Sequence, residues 1–492
     1  MNTTFMSQDS IRQERLKKLK LLEEASMDAY PVHTNRTHEI SSLKEKFEDL
    51  KNSNDDISIV GRVMSLRQHG GIIFADIFDG SGKFQFVLKV EDMQQDAFDL
   101  FTRTVDRGDF IECLGNAFVT KRGEPSLKVA SWKMLSKSIS PIPDEWFGIK
   151  DEEIKCRRRY LDILFDEEVH AMFMRRSLFW NTIRQFFLKR GFIEVETPVL
   201  ETTAGGAEAL PFRTHHNALD IDVYLRISTG ELWQKKLLIA GYQRVFEIGR
   251  IFRNEGISTE HLQDYTQLEY YEAYSDYQKG MCTVKDLYCH IADEVYGRRT
   301  FTMRGHNIDL DDEWEVVNYV DILHEKFGIN VLEDSLEKIK NVYQMHVPKK
   351  DKHEILSKAR LVDKLFKILR KDIVGPAFLI GVPVFIEPLA KRSPKDERIV
   401  ERFQIIMAGS EIGKGFSELN DPIDQKNRFE DQQRMRDEGD DEAQMFDVGY
   451  VEAMEYGMPP AFGFGVSERL FSYFEDKSIR VTQIFPLLRE EQ

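Results

Sequence analysis

The chain has 492 residues, 41% of them hydrophobic and 31% charged, with a formal net charge of -16. Its length exceeds one ordinary core, so two or more domains are expected, and the composition is that of a globular chain rather than a disordered one. The acidic balance excludes a generally cationic surface but leaves room for a local basic patch.

No apolar run is long enough for a bilayer; the longest, "AFLIGVPVFI" at residues 377–386, reads as a buried strand pair or a core strand. The opening "MNTTFMSQDSIRQERLKKLK" has no apolar signal core, so no secretory signal is expected. Cys113, Cys156, Cys282 and Cys289 lack paired C-x-x-C spacing. That supports neither a disulfide framework nor a zinc site, and reduced thiols in a cytoplasmic protein are expected.

Residues 9–29 have helical periodicity in Ile11, Leu16, Leu19 and Leu22, with Asp9 or Ser10 as the cap. Arg12, Arg15, Lys17, Lys18 and Lys20 crowd one section of it. A solvated helix face is the plainer expectation and contact with a polyanion the sharper one. From about residue 57 to 135 the chain turns to five short alternating strands separated by Gly-containing turns such as "DGSG" and "KRGE", which predicts a small closed barrel of the oligonucleotide-binding (OB) kind.

"SPIPDEWFGIKDEEIKCRRRYLD" (140–162) reads as a linker running into a helix. Residues 170–190 follow as a helix with Phe173, Leu178, Ile183, Phe187 and Leu188 apolar, and "GFIEVETPVL" (191–200) as a strand ending at a proline. Residues 300–375 are mixed and charged, with helices such as "KARLVDKLFKILRKDI".

The stretch "FRNEGISTEHLQDYTQLEYYEAY" (252–274) carries the densest chemistry. At a period of two, Tyr265, Gln267, Glu269, Tyr271 and Ala273 share one strand face, and Thr266, Leu268, Tyr270, Glu272 and Tyr274 the other. "VFEIGRIFR" before it is also strand-like, so a hairpin closed by the loop 254–264 is expected, bringing Arg253 near Glu269. On these residues alone, an ordinary hairpin with surface ion pairs remains an equal alternative.

Further segments decide it: "RRRYLDIL", "THHNALDIDVYLRIS", "FEIGRIFRNEG", "EPLAKRS", "FSELNDPIDQ" and "EYGMPPAFGFGVSERLF". In this order, and along nearly the whole chain, they resemble class II aminoacyl-tRNA synthetases, specifically the lysyl-tRNA synthetase family. The resemblance implies an α+β catalytic domain built on an antiparallel sheet with flanking helices, behind the five-stranded OB barrel. Expected domains are a helical extension (1–53), an anticodon-binding barrel (54–140), a linker (141–165) and a catalytic domain (166–492) with the mixed insertion at about 300–375. It also implies that "GFIEVETPVL" is a dimer-interface motif, and that the 252–274 stretch and "GFGVSERLF" hold ATP.

Site roles follow from the same resemblance. Arg253 clamps the α-phosphate and stabilises charge built up there, and Arg469 covers one adenine face. Glu255 takes the adenine amine, His261 the outer phosphates, and Tyr265 stacks on the base. Glu269 and Glu418 read the lysine ammonium, Tyr271 and Phe416 wall its stem, and Glu231 with the Gly206 backbone takes the α-amino end. Arg67, Phe74 and Gln85 read the anticodon, although for Phe74 by itself a place in the barrel core is the plainer expectation. Implied partners are tRNA(Lys), L-lysine, ATP, Mg2+ and a second copy of the chain, with no membrane.

The chain departs from the family at several points. Leu262, Gln263, Asp264 and Tyr265 follow the loop histidine where Asn-Pro-Glu-Phe is usual, and the motif-three glycine-to-arginine spacing differs by a residue. The metal-binding pair of glutamates reads Gln404 and Glu411, and Lys414 replaces an asparagine. Lys414 is expected either to assume part of a magnesium ion's role beside ATP or to bind the substrate carboxylate. Two rivals remain: an aspartyl- or asparaginyl-type synthetase, which needs cations rather than Glu269 and Glu418 in its side-chain pocket, and a non-catalytic RNA-binding paralogue.

Overall fold

The computed structural model describes residues 8–53, 55–143, 151–346, 357–440 and 443–490. Part of the expected linker (144–150) and part of the insertion (347–356) lie outside the described residues. The chain forms two compact units, Met1–Gly148 and Ile149–Gln492.

In the first unit, Ile57–His69, Ile72–Phe78, Lys83–Lys89, Phe110–Val119 and Pro125–Ser136 close a barrel in the order first, second, third, fifth, fourth. Alternation turns Ile73, Ala75 and Ile77 inward, while Phe74 stands on the outer face rather than in the core. The helix Gln95–Thr104 packs Phe98 and Phe101 onto the barrel core, with Phe101 edge-on to Trp132 at 5.0 Å.

The helix Gln8–Glu24 does not present all its cations to solvent, as the plainer expectation had it. Arg15 is buried and donates to the carbonyls of Arg107, Ser138 and Ser140, and Lys18 bonds Asp106 at 2.6 Å. These two residues hold the helix to its own unit.

The second unit is α+β. Its eight-stranded sheet runs Glu315–Asn318, Ala377–Ile380, Arg402–Met407, Ser410–Ser417, Ala461–Ser467, Asp264–Ala273, Arg244–Phe252, Ile193–Glu194. Both outermost pairings are parallel and the rest antiparallel.

Two sequence expectations shorten here. Residues 191–200 supply only the Ile193–Glu194 strand and, in a separate small sheet, Leu200–Glu201. Between them, Thr197 donates its backbone and hydroxyl groups to Glu247 instead of a ladder, and Pro198 has no amide to donate. Residues 377–386 give one strand, Ala377–Ile380, and then a 3-10 turn, Val384–Ile386.

The helices Glu167–Lys189 and Tyr277–Ile291 cover one sheet face, packing Phe179, Ile183, Phe187, Leu287 and Tyr288 against Phe246, Leu268, Tyr270, Phe403 and Phe464. Asp166 caps the first by accepting from the amides of Glu168 and Val169. Its buried stripe includes Met172, Phe179 and Phe186, whereas Leu178 and Leu188 are exposed, one position off the expected face. Helices within the 300–375 insertion build a second core around Leu323, Val342, Leu365 and Phe366, continuous with Ala377 and Leu379 at the sheet edge.

Candidate active site

The opposite face of the sheet is polar, and strand alternation decides which residues reach it. Asp264–Ala273 sends Leu268 and Tyr270 into the core and Gln267, Glu269 and Tyr271 to the other side. In Ala461–Ser467, "AFGFGVS", the phenylalanines are core and Gly463 and Gly465 face the site. A Cβ on Gly463 would strike Glu418 Oε1 and the Tyr271 ring, so only glycine leaves that volume open. Ser410–Ser417 reverses the pattern: Gly413 and Gly415 make way for the core rings Phe464 and Phe462.

Glu231, Glu269 and Glu418 converge there, all buried. So is Lys235, one helical turn beyond Glu231 in the helix Glu231–Ile239. Its Nζ lies 2.8 Å from Glu231 and 2.5 Å from Glu418, and within 5.8 Å of the Tyr271 ring and 5.3 Å of the Phe416 ring. Glu269 instead accepts from the Thr229 amide at 3.0 Å, the Gln267 side chain at 2.5 Å and the Tyr271 hydroxyl at 3.0 Å. Two carboxylates therefore share one ammonium with a third close by, and Glu418 Oε1 is buried without a hydrogen-bond partner.

Burial pushes Glu269 and Glu418 well above the usual carboxylate range; Glu231 repels both, and Lys235 draws Glu418 back. Lys235 itself stays charged, because Glu231 and Glu418 outweigh its burial. Of the two raised acids, only Glu418 has a cation in direct contact. Gly206 sits beside Glu231 at φ 82°, where a Cβ would lie 2.5 Å from Ser228 Oγ and 2.7 Å from Glu231 Cβ.

The hairpin register pairs Glu269 with Glu247 and Phe252 with Asp264. Arg253 thus lies at the far end of the hairpin from Glu269 and not beside it, although its charge still favours ionised Glu269. Arg253 donates through Nε to the Ile227 carbonyl at 3.2 Å and stands 5.8 Å from the Tyr265 ring. A buried Arg226–Glu247 pair at 2.5 Å, joined by Thr197, braces the base of the hairpin. Of the loop residues that depart from the family, Leu262 is buried and Asp264 pairs with Arg250.

Arg469 donates to the backbone carbonyls of Glu260 at 3.2 Å and Glu411 at 3.1 Å, tying the loop to the sheet. His261 contacts Ser258 Oγ through Nδ1 at 2.8 Å. Desolvation first, then the Arg469 and Arg370 charges, lower its pKa to about 4, against the pull of Glu260. Glu255 is exposed on the loop.

The residues matching a metal site do not fit one. Gln404 accepts from Arg402 at 2.7 Å, Glu411 pairs with Arg370 at 3.1 Å, and Lys414 bonds Glu387 at 3.0 Å. Among the described residues no group of three His, Cys, Asp or Glu is placed to hold a metal ion.

In the barrel, Arg67 and Phe74 are directly opposite across the first two strands, and Gln85 faces Asp76 one strand on. Asp76 pairs with Arg67 at 3.5 Å, and Gln85 accepts from Ser126 Oγ at 3.0 Å. The three sequence-named residues thus share one outer face.

Sequence reasoning missed Lys235, Arg370, Arg402, Glu387 and Arg226. Only Lys235 carried a local signal, its i,i+4 spacing from Glu231.

The family described as tRNA synthetases class II (D, K and N) matches residues 151–489, and the OB-fold nucleic acid binding domain matches residues 57–135. Those matches agree with the α+β sheet and the five-stranded barrel, and define the class as a class II synthetase with an OB barrel ahead of its catalytic domain. The lysine–tRNA ligase of Thermotoga maritima is 40% identical over 98% of this chain and 96% of its own length. Those of Roseiflexus sp. strain RS-1 (98% and 99% covered) and Clostridium perfringens (98% and 97% covered) are also 40% identical. The chain belongs to the lysine–tRNA ligase family.

Proposed function

We infer that this chain ligates L-lysine to tRNA(Lys), using ATP, through a lysyl-adenylate. The observation that carries this reading is the charge of the buried pocket: Glu231, Glu269 and Glu418 exceed Lys235 by two negative charges when all are ionised. L-Lysine brings two ammonium groups. A substrate with an acidic side chain would add negative charge to a desolvated anionic site.

In the first step a lysine carboxylate oxygen attacks the α-phosphorus of ATP. The bond from that phosphorus to the bridging oxygen breaks, and pyrophosphate leaves with the electron pair. The carboxylate is already ionised at neutral pH, so no general base is needed. The protein's part is positioning and charge. Arg253 binds the α-phosphate, Tyr265 and Arg469 enclose the adenine, Glu255 takes its amine, and neutral His261 meets the outer phosphates. The tRNA terminal hydroxyl then attacks the adenylate carbonyl and AMP leaves.

Gly206 and Glu231 hold the α-amino group, Glu269 and Glu418 the side-chain ammonium, and Tyr271 and Phe416 the stem. ATP enters as its magnesium complex, and Glu411 is the remaining carboxylate at the altered metal position. In the barrel, Phe74 stacks on an anticodon base while Arg67 and Gln85 read base edges. The proposed boundaries are a helical extension at 1–53, the barrel at 54–140, a linker at 141–165 and the catalytic domain at 166–492. Exposed Ile193, Val199 and Leu200 support a homodimer through residues 191–200. The working compartment is the cytoplasm.

Pyrophosphate exchange tests the reaction. Exchange dependent on lysine, and absent with aspartate or asparagine, is the expected result with or without tRNA; no exchange with any amino acid supports the RNA-binding paralogue instead.

Lysine binding also has a defined pH dependence. Glu269 holds its proton above the usual carboxylate range and must lose it to meet an ammonium. Affinity for lysine therefore rises with pH between 6 and 8.5, by at most about tenfold per unit for one proton. Calorimetry in buffers of different ionisation enthalpy is expected to record proton release on lysine binding, and Glu269→Gln to reduce it.

A further inference from the structure

Around the expected metal position the structure supplies cations where a metal would need acids. Glu387 is almost fully buried and contacts both Lys414 at 3.0 Å and Arg402 at 3.3 Å. Glu411 contacts Arg370 at 3.1 Å and accepts through its backbone from Arg469 at 3.1 Å. The amide oxygen of Gln404 is taken by Arg402.

Glu387 and Glu411 are thus engaged by Lys414, Arg402 and Arg370, with Arg469 alongside and Glu260 and Glu208 within reach of the same charges. A divalent cation would have to displace these cations from their acids, whereas polyphosphate oxygens can share them. Lys414 keeps its side chain 44% exposed, so its ammonium remains accessible to a ligand. The charges of Arg370 and Arg469 also reach His261.

We propose that in this chain Arg370 and Lys414 act as built-in counter-charges to the ATP polyphosphate, replacing a divalent ion held by the protein. The proposal rests on the ATP reading above. A fixed guanidinium and ammonium neutralise phosphate oxygens with directed donors and need no carboxylate ligands.

The test titrates the full-length protein with α,β-methylene-ATP by calorimetry, once in excess magnesium and once in excess chelator. Wild-type affinity is expected to differ by no more than about threefold between the two conditions, the charge being supplied by side chains. Arg370→Gln combined with Lys414→Asn is expected to lose on the order of 100-fold in chelator and much less in magnesium. Manganese resonance with the same nucleotide is expected to show one ion per wild-type site, the ion carried by the nucleotide. Adding Gln404→Glu to the double variant is expected to create a second ion site.

Retained lysine binding reports that the variants are folded. Wild-type nucleotide binding that requires magnesium, or more than one tightly held manganese, overturns the proposal and leaves the ATP reading standing. Absence of nucleotide binding in both conditions overturns both. A Lys414→Asn variant that loses lysine affinity but keeps its chelator-resistant nucleotide affinity overturns the proposal in favour of Lys414 as a substrate-carboxylate group.

Discussion

Arg253→Ala is expected to slow lysyl-adenylate formation by on the order of 10²–10³, about 2.7–4 kcal/mol of transition-state stabilisation. The guanidinium makes one hydrogen bond, to the Ile227 carbonyl, and among the described residues pairs with no acid. Its removal therefore breaks no direct ion pair, and stability changes little. Charge on the α-phosphate oxygens increases as the carboxylate approaches, so the loss falls on the chemical step more than on lysine affinity. Arg253→Lys retains the charge without the planar fork and is expected to recover only part of the rate. Single-turnover measurement of lysyl-AMP, with lysine affinity measured separately, checks both statements; an equal loss of folding stability and rate would assign Arg253 a structural role.

Lys235→Met is expected to have the larger effect on the fold. Methionine matches the stem but leaves Glu231 and Glu418 buried with no cation in contact. Breaking a buried pair this way costs about 3–5 kcal/mol. The sign with pH is fixed by which form is penalised: the unpaired acids are harmful when ionised, so the deficit shrinks as pH falls and the carboxyls take up protons. Urea unfolding at pH 6 and pH 8 is expected to show the smaller deficit at pH 6. Added L-lysine is expected to restore part of the loss, since its ammonium occupies the same acids and ligand binding stabilises the folded state by mass action.

Much of the architecture could be read from local pattern. Alternation in "GIIFADIFDG" placed the barrel strands, and "QLEYYEA" separated a core side from a polar side. The strict Phe-Gly alternation of "AFGFGVS" is legible as a strand with one large and one empty face, once its partner strands are known. What escaped was set by tertiary contact. "QKKL" looks like an exposed basic pair, and only the arrival of Glu418 from a distant strand makes Lys235 a buried cation. Arg370 gains its meaning from Glu411 in the same way. The hairpin was foreseen but not its register, so Arg253 was expected next to a residue that lies at the other end of the ladder. The strand expected at 191–200 ignored that a threonine tied to Glu247, followed by a proline, cannot continue a ladder.

Lys235 has one more consequence, for substrate binding. It bridges Glu231 and Glu418, and it shares a single helical turn with Glu231. The acid assigned to the α-amino end and the acid assigned to the far end therefore meet at one ammonium, carried on a helix rather than on a loop. Substrate lysine must compete with that resident ammonium for both carboxylates, so part of its binding energy is spent on displacing a buried ion pair.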